Sequence, residues 1–277
     1  MRILTGFLVT GATLAVSACG VGVTGGPAVT HQEDRSYELP QGQVAQLGLH
    51  LSDSKATIVG TDTTKIVVSE HLTYSKNRKP TPHHSVSGSE LTLGYTCPRG
   101  INIGFSRCNV DYRIEVPRAL KVDVNNDSGS LTLTGLAGAI SAHADSGRIS
   151  LTDFRGSQAT LGADSGMIEI NGTTGAALDL RASSGAVRAE GLKGGKVTAE
   201  VDSGSLRADF STPPSLVDIS VDSGSVHLGL PTTVAYNLDT KASSGSDNVD
   251  HAIESDTRSP NLIKVRTDSG SISIDPV

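Results

Sequence analysis

A Ser-Gly pair recurs through the second half of this chain. Its glycine stands at Gly129, Gly147, Gly166, Gly185, Gly204, Gly224, Gly245 and Gly270, at intervals of 18, 19, 19, 19, 20, 21 and 25 residues. In six copies the residue before the serine is an aspartate: Asp127, Asp145, Asp164, Asp202, Asp222 and Asp268; Ser183 and Ser243 replace it in the other two. A nearly constant period of about 20 residues is the signature of a solenoid, in which each unit stacks on its neighbours.

Alignment on the glycine locates the core. Seven positions before it stand Val122, Ile140, Ala159, Leu178, Val197, Val217, Leu238 and Ile263; five before it the residues are again apolar except Thr240. Two positions after it stand Leu131, Ile149, Ile168, Val187, Leu206, Val226 and Ile272, with Asp247 as the exception, and four after it a further aliphatic column follows. Polar residues alternate with these columns, so each copy reads as strand, turn, strand. The aspartate is expected to cap backbone N–H groups at the turn, and the glycine to take a positive φ. Gly138, Gly156, Gly175 and Gly194 suggest a second turn leading into the next coil. Four or five small apolar side chains cannot offset the entropy of ordering one such unit, so it persists only in a stack. The expected fold is an all-β parallel solenoid of about eight coils over residues 121–277, with a narrow bore that leaves no room for an internal ligand.

Residues 37–120 are less regular but strand-rich, and are expected to form a β-rich cap over the first coil. Residues 76–84 (KNRKPTPHH) read as a loop, and residues 246–260 as a protruding loop. Pro276 lacks an amide hydrogen and would terminate the ladder. The folded part is expected to start near Tyr37.

The first 18 residues read as an export signal, too short for a permanent span. Val16-Ser17-Ala18-Cys19 resembles the lipobox of bacterial lipoproteins. That resemblance implies cleavage before Cys19 and acyl chains such as palmitate on it; two or more chains hold a protein firmly on a membrane. Residues 19–36 then read as a lipidated cysteine and a flexible tether. With Cys19 assigned to lipid, Cys97 and Cys108 remain, and a disulfide is the default for such a pair in an exported chain. Closing so short a loop is worth about 3 kcal/mol in the chain-entropy picture.

The strand Val110-Asp111-Tyr112-Arg113-Ile114-Glu115-Val116-Pro117, the Cys97–Cys108 segment before it and the Asp-Ser-Gly-Ser-Leu-Thr-Leu runs after it resemble the bacterial "putative-adhesin" family of β-strand-repeat domains. The resemblance covers nearly all of the chain after residue 37. It implies an envelope protein of adhesive or scaffolding character, by analogy of fold rather than by any motif that carries chemistry. No catalytic residue transfers from it.

The residues themselves offer little chemistry. A net charge of −6 argues against a nucleic-acid partner, and an aromatic content of 3% leaves few rings to stack on sugars or bases. A row of turn aspartates could attract calcium, but the short glycine-rich calcium repeats are absent and capping explains the residue type. A serine present in every turn serves every turn, which argues against a nucleophile. The eight histidines show no zinc spacing, and His83 and His84, as neighbours, would point to opposite faces. Neither a metal nor another cofactor is expected. Glu169, Arg188, Arg207 and His227 should stack on the outward face, the last three forming a short basic stripe open to an anionic sugar or headgroup. The expectation is therefore a monomeric, non-enzymatic, lipid-anchored envelope protein that meets an envelope or extracellular ligand through this stripe and the two polar loops. A polysaccharide-acting β-helix enzyme and a purely structural stalk or accessory subunit are the alternatives.

Overall fold

The computed structural model describes residues 30–99 and 106–277. The expected signal segment, Cys19 and most of the tether lie outside the described residues. Fourteen strands follow one another: β1 (Thr30–Pro40), β2 (Gln46–Thr61), β3 (Lys65–Ser75), β4 (Thr81–Ser87), β5 (Glu90–Thr96), β6 (Cys108–Pro117), β7 (Lys121–Thr134), β8 (Ile140–Phe154), β9 (Gln158–Thr174), β10 (Ala177–Lys193), β11 (Lys196–Thr212), β12 (Leu216–Leu230), β13 (Asn237–Val249) and β14 (Leu262–Pro276). They form one sheet system whose ladder runs parallel from β2 through β7 to β12, then β14, then β13.

The ladder is the all-β solenoid that the repeat implies, and its glycines line up in file. Gly185 pairs with Gly166 on one side and Gly204 on the other. Each corner glycine has φ between 117° and 158°. A Cβ on any of them would lie 1.6–2.2 Å from the carbonyl oxygen of the coil below. Glycine is thus required twice, by backbone conformation and by the close stacking of coils.

The corner is not the capped turn expected from the sequence. Each copy is one long strand that keeps its hydrogen-bond ladder through the bend; only the residue at the aspartate position drops out of pairing, as between Ala182↔Val201 and Ser184↔Ser203. The six corner aspartates are exposed, and none of their carboxylates bonds a backbone N–H among the described residues. The bend is held by stacking, not by Asx capping. A second corner lies six residues after the glycine, where Gly135, Asp153, Gly172 and Gly191 take φ of 52–73°. The turn expected from the sequence follows three residues later and leads into the next coil: Gly138, Gly156, Gly175 and Gly194 each stand in a break between successive strands, Gly175 and Gly194 with φ of 65° and 64°. Between the corners the alternating columns point inward, and an additional small column (Ala144, Ala163, Ala182, Val201, Val221) fills the bore beside the first corner.

The ladder begins earlier than the glycine repeat. β2 pairs with β7 in the repeat's own register, with Ser54 opposite Gly129, making a ninth coil inside the region read as cap. Ser54 Oγ donates to Asn109 Oδ1 at 2.8 Å and lies 3.1 Å from Tyr95 Oη. On the far side of β2 the sheet divides. β5 continues its first arm and β6 its second, with β4 added to β5, and β3 and β1 added to β6. The Cys97–Cys108 disulfide ties the end of β5 to the start of β6. Tyr37 Oη donates to the buried Glu70 carboxylate at 3.0 Å, and Tyr112 Oη to Gly94 O at 3.0 Å.

Four expectations are corrected. Residues 30–36 are strand, paired along β3, so the fold starts before Tyr37. Residues 81–84 belong to β4 rather than to a loop, and His84 stacks on Tyr37 with ring centroids 5.1 Å apart. Pro276 does not end the ladder: β14 is inserted between β12 and β13, with Pro276 opposite Leu230. Residues 246–260 do not simply protrude. Residues 246–249 complete β13, and the rest folds back so that Ile253 and Tyr236 are buried, with Tyr236 Oη donating to Pro231 O at 2.8 Å.

Candidate functional site

Outward side chains inherit the register of the ladder, so any surface site is assembled from one residue per coil. The expected file is present: Glu169 lies opposite Arg188, Arg188 opposite Arg207, and Arg207 opposite His227. It is not a row of free cations. Arg188 Nε donates to Glu190 Oε1 at 2.7 Å and Arg207 Nε to Asp209 Oδ2 at 2.8 Å; His227 Nδ1 lies 3.3 Å from Asp275 Oδ2. Residues two apart on a strand share a face, so Arg188 and Arg207 are each matched by an acid of their own strand, while His227 meets Asp275 of β14. Arg188 and Arg207 thus sit in exposed ion pairs, each worth about 0–1 kcal/mol.

The corner aspartates form a second file. In ladder order it runs Asp127, Asp145, Asp164, Ser183, Asp202, Asp222, Asp268, Ser243. His143 joins it at one place. Its Nε2 lies 3.2 Å from Asp145 Oδ1 and 3.5 Å from Asp164 Oδ1. The sequence reading set the histidines aside because it looked for spacing along one element, whereas Asp164 comes from the next coil. The legible signal was the repeat itself: His143 stands two before Asp145, and Gly162 two before Asp164.

A groove of ≈ 480 Å³ lies on the outer face of the β1–β3–β6–β2 sheet. Arg35 pairs with Glu33 at 2.8 Å and Arg113 with Glu115 at 3.6 Å; His71 Nδ1 is 2.6 Å from Asp34 Oδ1, and the Lys55 backbone amide donates to Asp111 Oδ1 at 2.8 Å. Beneath it, burial raises the pKa of Glu70, opposed by the hydrogen bond from Tyr37 and the charge of Arg35. Tyr37 and Tyr112 are raised in turn, chiefly by burial and then by Glu70.

A family model described as Toastrack DUF4097 matches residues 45–275. The chain belongs to that family. The Toastrack match begins one residue before β2, in agreement with the ladder starting there. Among solved structures, a "putative adhesin" from Bacteroides fragilis is 11% identical, with 88% of this chain and 97% of that chain covered and a TM-score of 0.54. A "putative cell adhesion protein" from Clostridium sporogenes is 13% identical, with 89% and 100% covered and a TM-score of 0.29. The first likeness supports the fold. No curated protein matches the chain.

Proposed function

We propose that this Toastrack protein is a lipid-anchored component of the bacterial cell envelope, without catalytic activity, whose solenoid holds polar faces in fixed register for binding or scaffolding. The observation that supports it is the coupling of a filled aliphatic bore to outward files of polar side chains, one residue per coil. Such a body resists deformation and offers extended surfaces rather than a closed reaction chamber. The "putative adhesin" name of the Bacteroides fragilis structure agrees with a surface role. The lipobox-like Val16-Ser17-Ala18-Cys19 supplies the anchor.

Two measurements test this. Cells fed labelled palmitate should incorporate it into the native chain but not into Cys19→Ser, which should move to the soluble fraction. Cross-linking on intact cells should capture a reproducible partner. Label on the Cys19→Ser chain overturns the anchor, and an absence of any reproducible partner favours a plain stalk over a binder.

A further inference from the structure

From the convergence of His143, Asp145 and Asp164, we infer a surface site for a divalent transition-metal ion, with zinc as the best-matched ion. The three donor atoms lie within 4.8 Å of one another. A metal held at about 2.0–2.2 Å from nitrogen and oxygen ligands sets neighbouring ligand atoms about 2.9–3.5 Å apart, for tetrahedral to octahedral angles. The distances from His143 Nε2 to the two carboxylate oxygens, 3.2 and 3.5 Å, fall in that range.

Charge points the same way. Carboxylates at one register position of adjacent strands are about 4.8 Å apart and repel. Among the described residues neither Asp145 nor Asp164 is paired with a lysine or arginine. Arg181, which lines the same ≈ 330 Å³ cleft, is directed to Asp179 at 3.2 Å and Glu200 at 3.7 Å. Two carboxylates therefore share a single imidazole, and a doubly charged ion balances them. The aspartate file alone would not select a metal. Here an imidazole joins it, and imidazole with carboxylates is a donor set suited to zinc rather than calcium.

The neighbouring coil is shaped to admit the ring. Gly162 lies opposite His143, and a Cβ there would sit 2.6 Å from His143 Nδ1. Gly162 is outside the positive-φ region, so the backbone does not explain the glycine, whereas the space taken by the imidazole does. Gly162 is thus a positioning residue. Three protein ligands leave further coordination positions open to solvent.

This inference is independent of the anchoring and binding proposed above. Calorimetric titration of the full chain with zinc chloride should give one site, and cobalt(II) should give a visible d–d spectrum. His143→Gln and Asp164→Asn should each weaken zinc by at least about tenfold and abolish the cobalt spectrum. Gly162→Ala should weaken zinc without removing a ligand. His227→Gln, which alters the other histidine–carboxylate contact on the ladder, should leave the titration unchanged. Circular dichroism establishes that each variant is folded. Stoichiometric zinc binding that survives His143→Gln, or no zinc binding by the native chain, overturns the proposal.

Discussion

At the scale of single residues, the glycine file separates two demands that a sequence shows as one. A left-handed φ near 60° is tolerated by a non-glycine residue, as Asp153 at 52° shows in the second corner, whereas the 117–158° of the first corner suits glycine alone. Contact adds the second limit there: a Cβ on Gly204 would lie 1.8 Å from Gly185 O. Gly204→Ala is therefore expected to destabilise the fold by about 2–4 kcal/mol, read as a lowered urea midpoint. Ser54 bears a side chain at the same register position because it is the first coil of the file, and its hydroxyl is engaged by the cap. Glu70 makes a different kind of residue-level demand. Its folded pKa is raised by burial above its ordinary value of 4.5. The folded state therefore holds the proton more tightly than the unfolded one, and stability declines as pH rises from about that value through the raised one. Glu70→Gln keeps an acceptor for Tyr37 and removes the buried charge. Its thermal midpoint should exceed that of the native chain at pH 7, with the difference shrinking as the pH falls towards 4.5.

At the scale of elements, the informative strand is β13. The two exceptions in its inward columns, Thr240 and Asp247, were visible in the sequence, and they have a common cause. β13 is the outermost coil, because Gly270 rests on Gly224 O and Gly245 on Gly270 O. An edge strand must discourage further pairing, and polar residues in its core columns do so. The pairing order was not legible, since periodicity reports which residues face inward and not which coils touch. The long 25-residue interval was the trace of the chain doubling back to thread β14 between β12 and β13. β2 escaped notice for the converse reason: its columns obey the repeat, but Ser52-Asp53-Ser54 stands where the Asp-Ser-Gly mark would be. Likewise, the Arg188–Arg207–His227 file was legible from spacing, while its neutralising acids were overlooked because only one face position per coil was compared. Thr240→Val together with Asp247→Ile should convert β13 into an apolar coil open to a further strand. The double variant is expected to self-associate, seen as an earlier elution and increased light scattering, while native protein stays smaller at equal concentration.

At the scale of the whole molecule, contact is between nearest neighbours along the ladder, so stability is expected to behave as a sum of coils and interfaces. The coils are interchangeable wherever they share register. Ala177 of β10 lies opposite Gln158 of β9 and opposite Lys196 of β11, and Gly185 lies between Gly166 and Gly204. Removing residues 177–195 would therefore bring β11 onto β9 with every inward column continuous and glycine still on glycine. The natural intervals of 18–21 residues between the earlier copies show that small differences in length are absorbed at the turns, away from the columns. The shortened chain is expected to keep its β circular dichroism and to unfold cooperatively. Its urea m-value should fall, because less surface is exposed on unfolding. If the 177–195 deletion instead leaves an unfolded chain, the coils are not equivalent units, and the cap and the end strands carry stability that the ladder does not supply for itself.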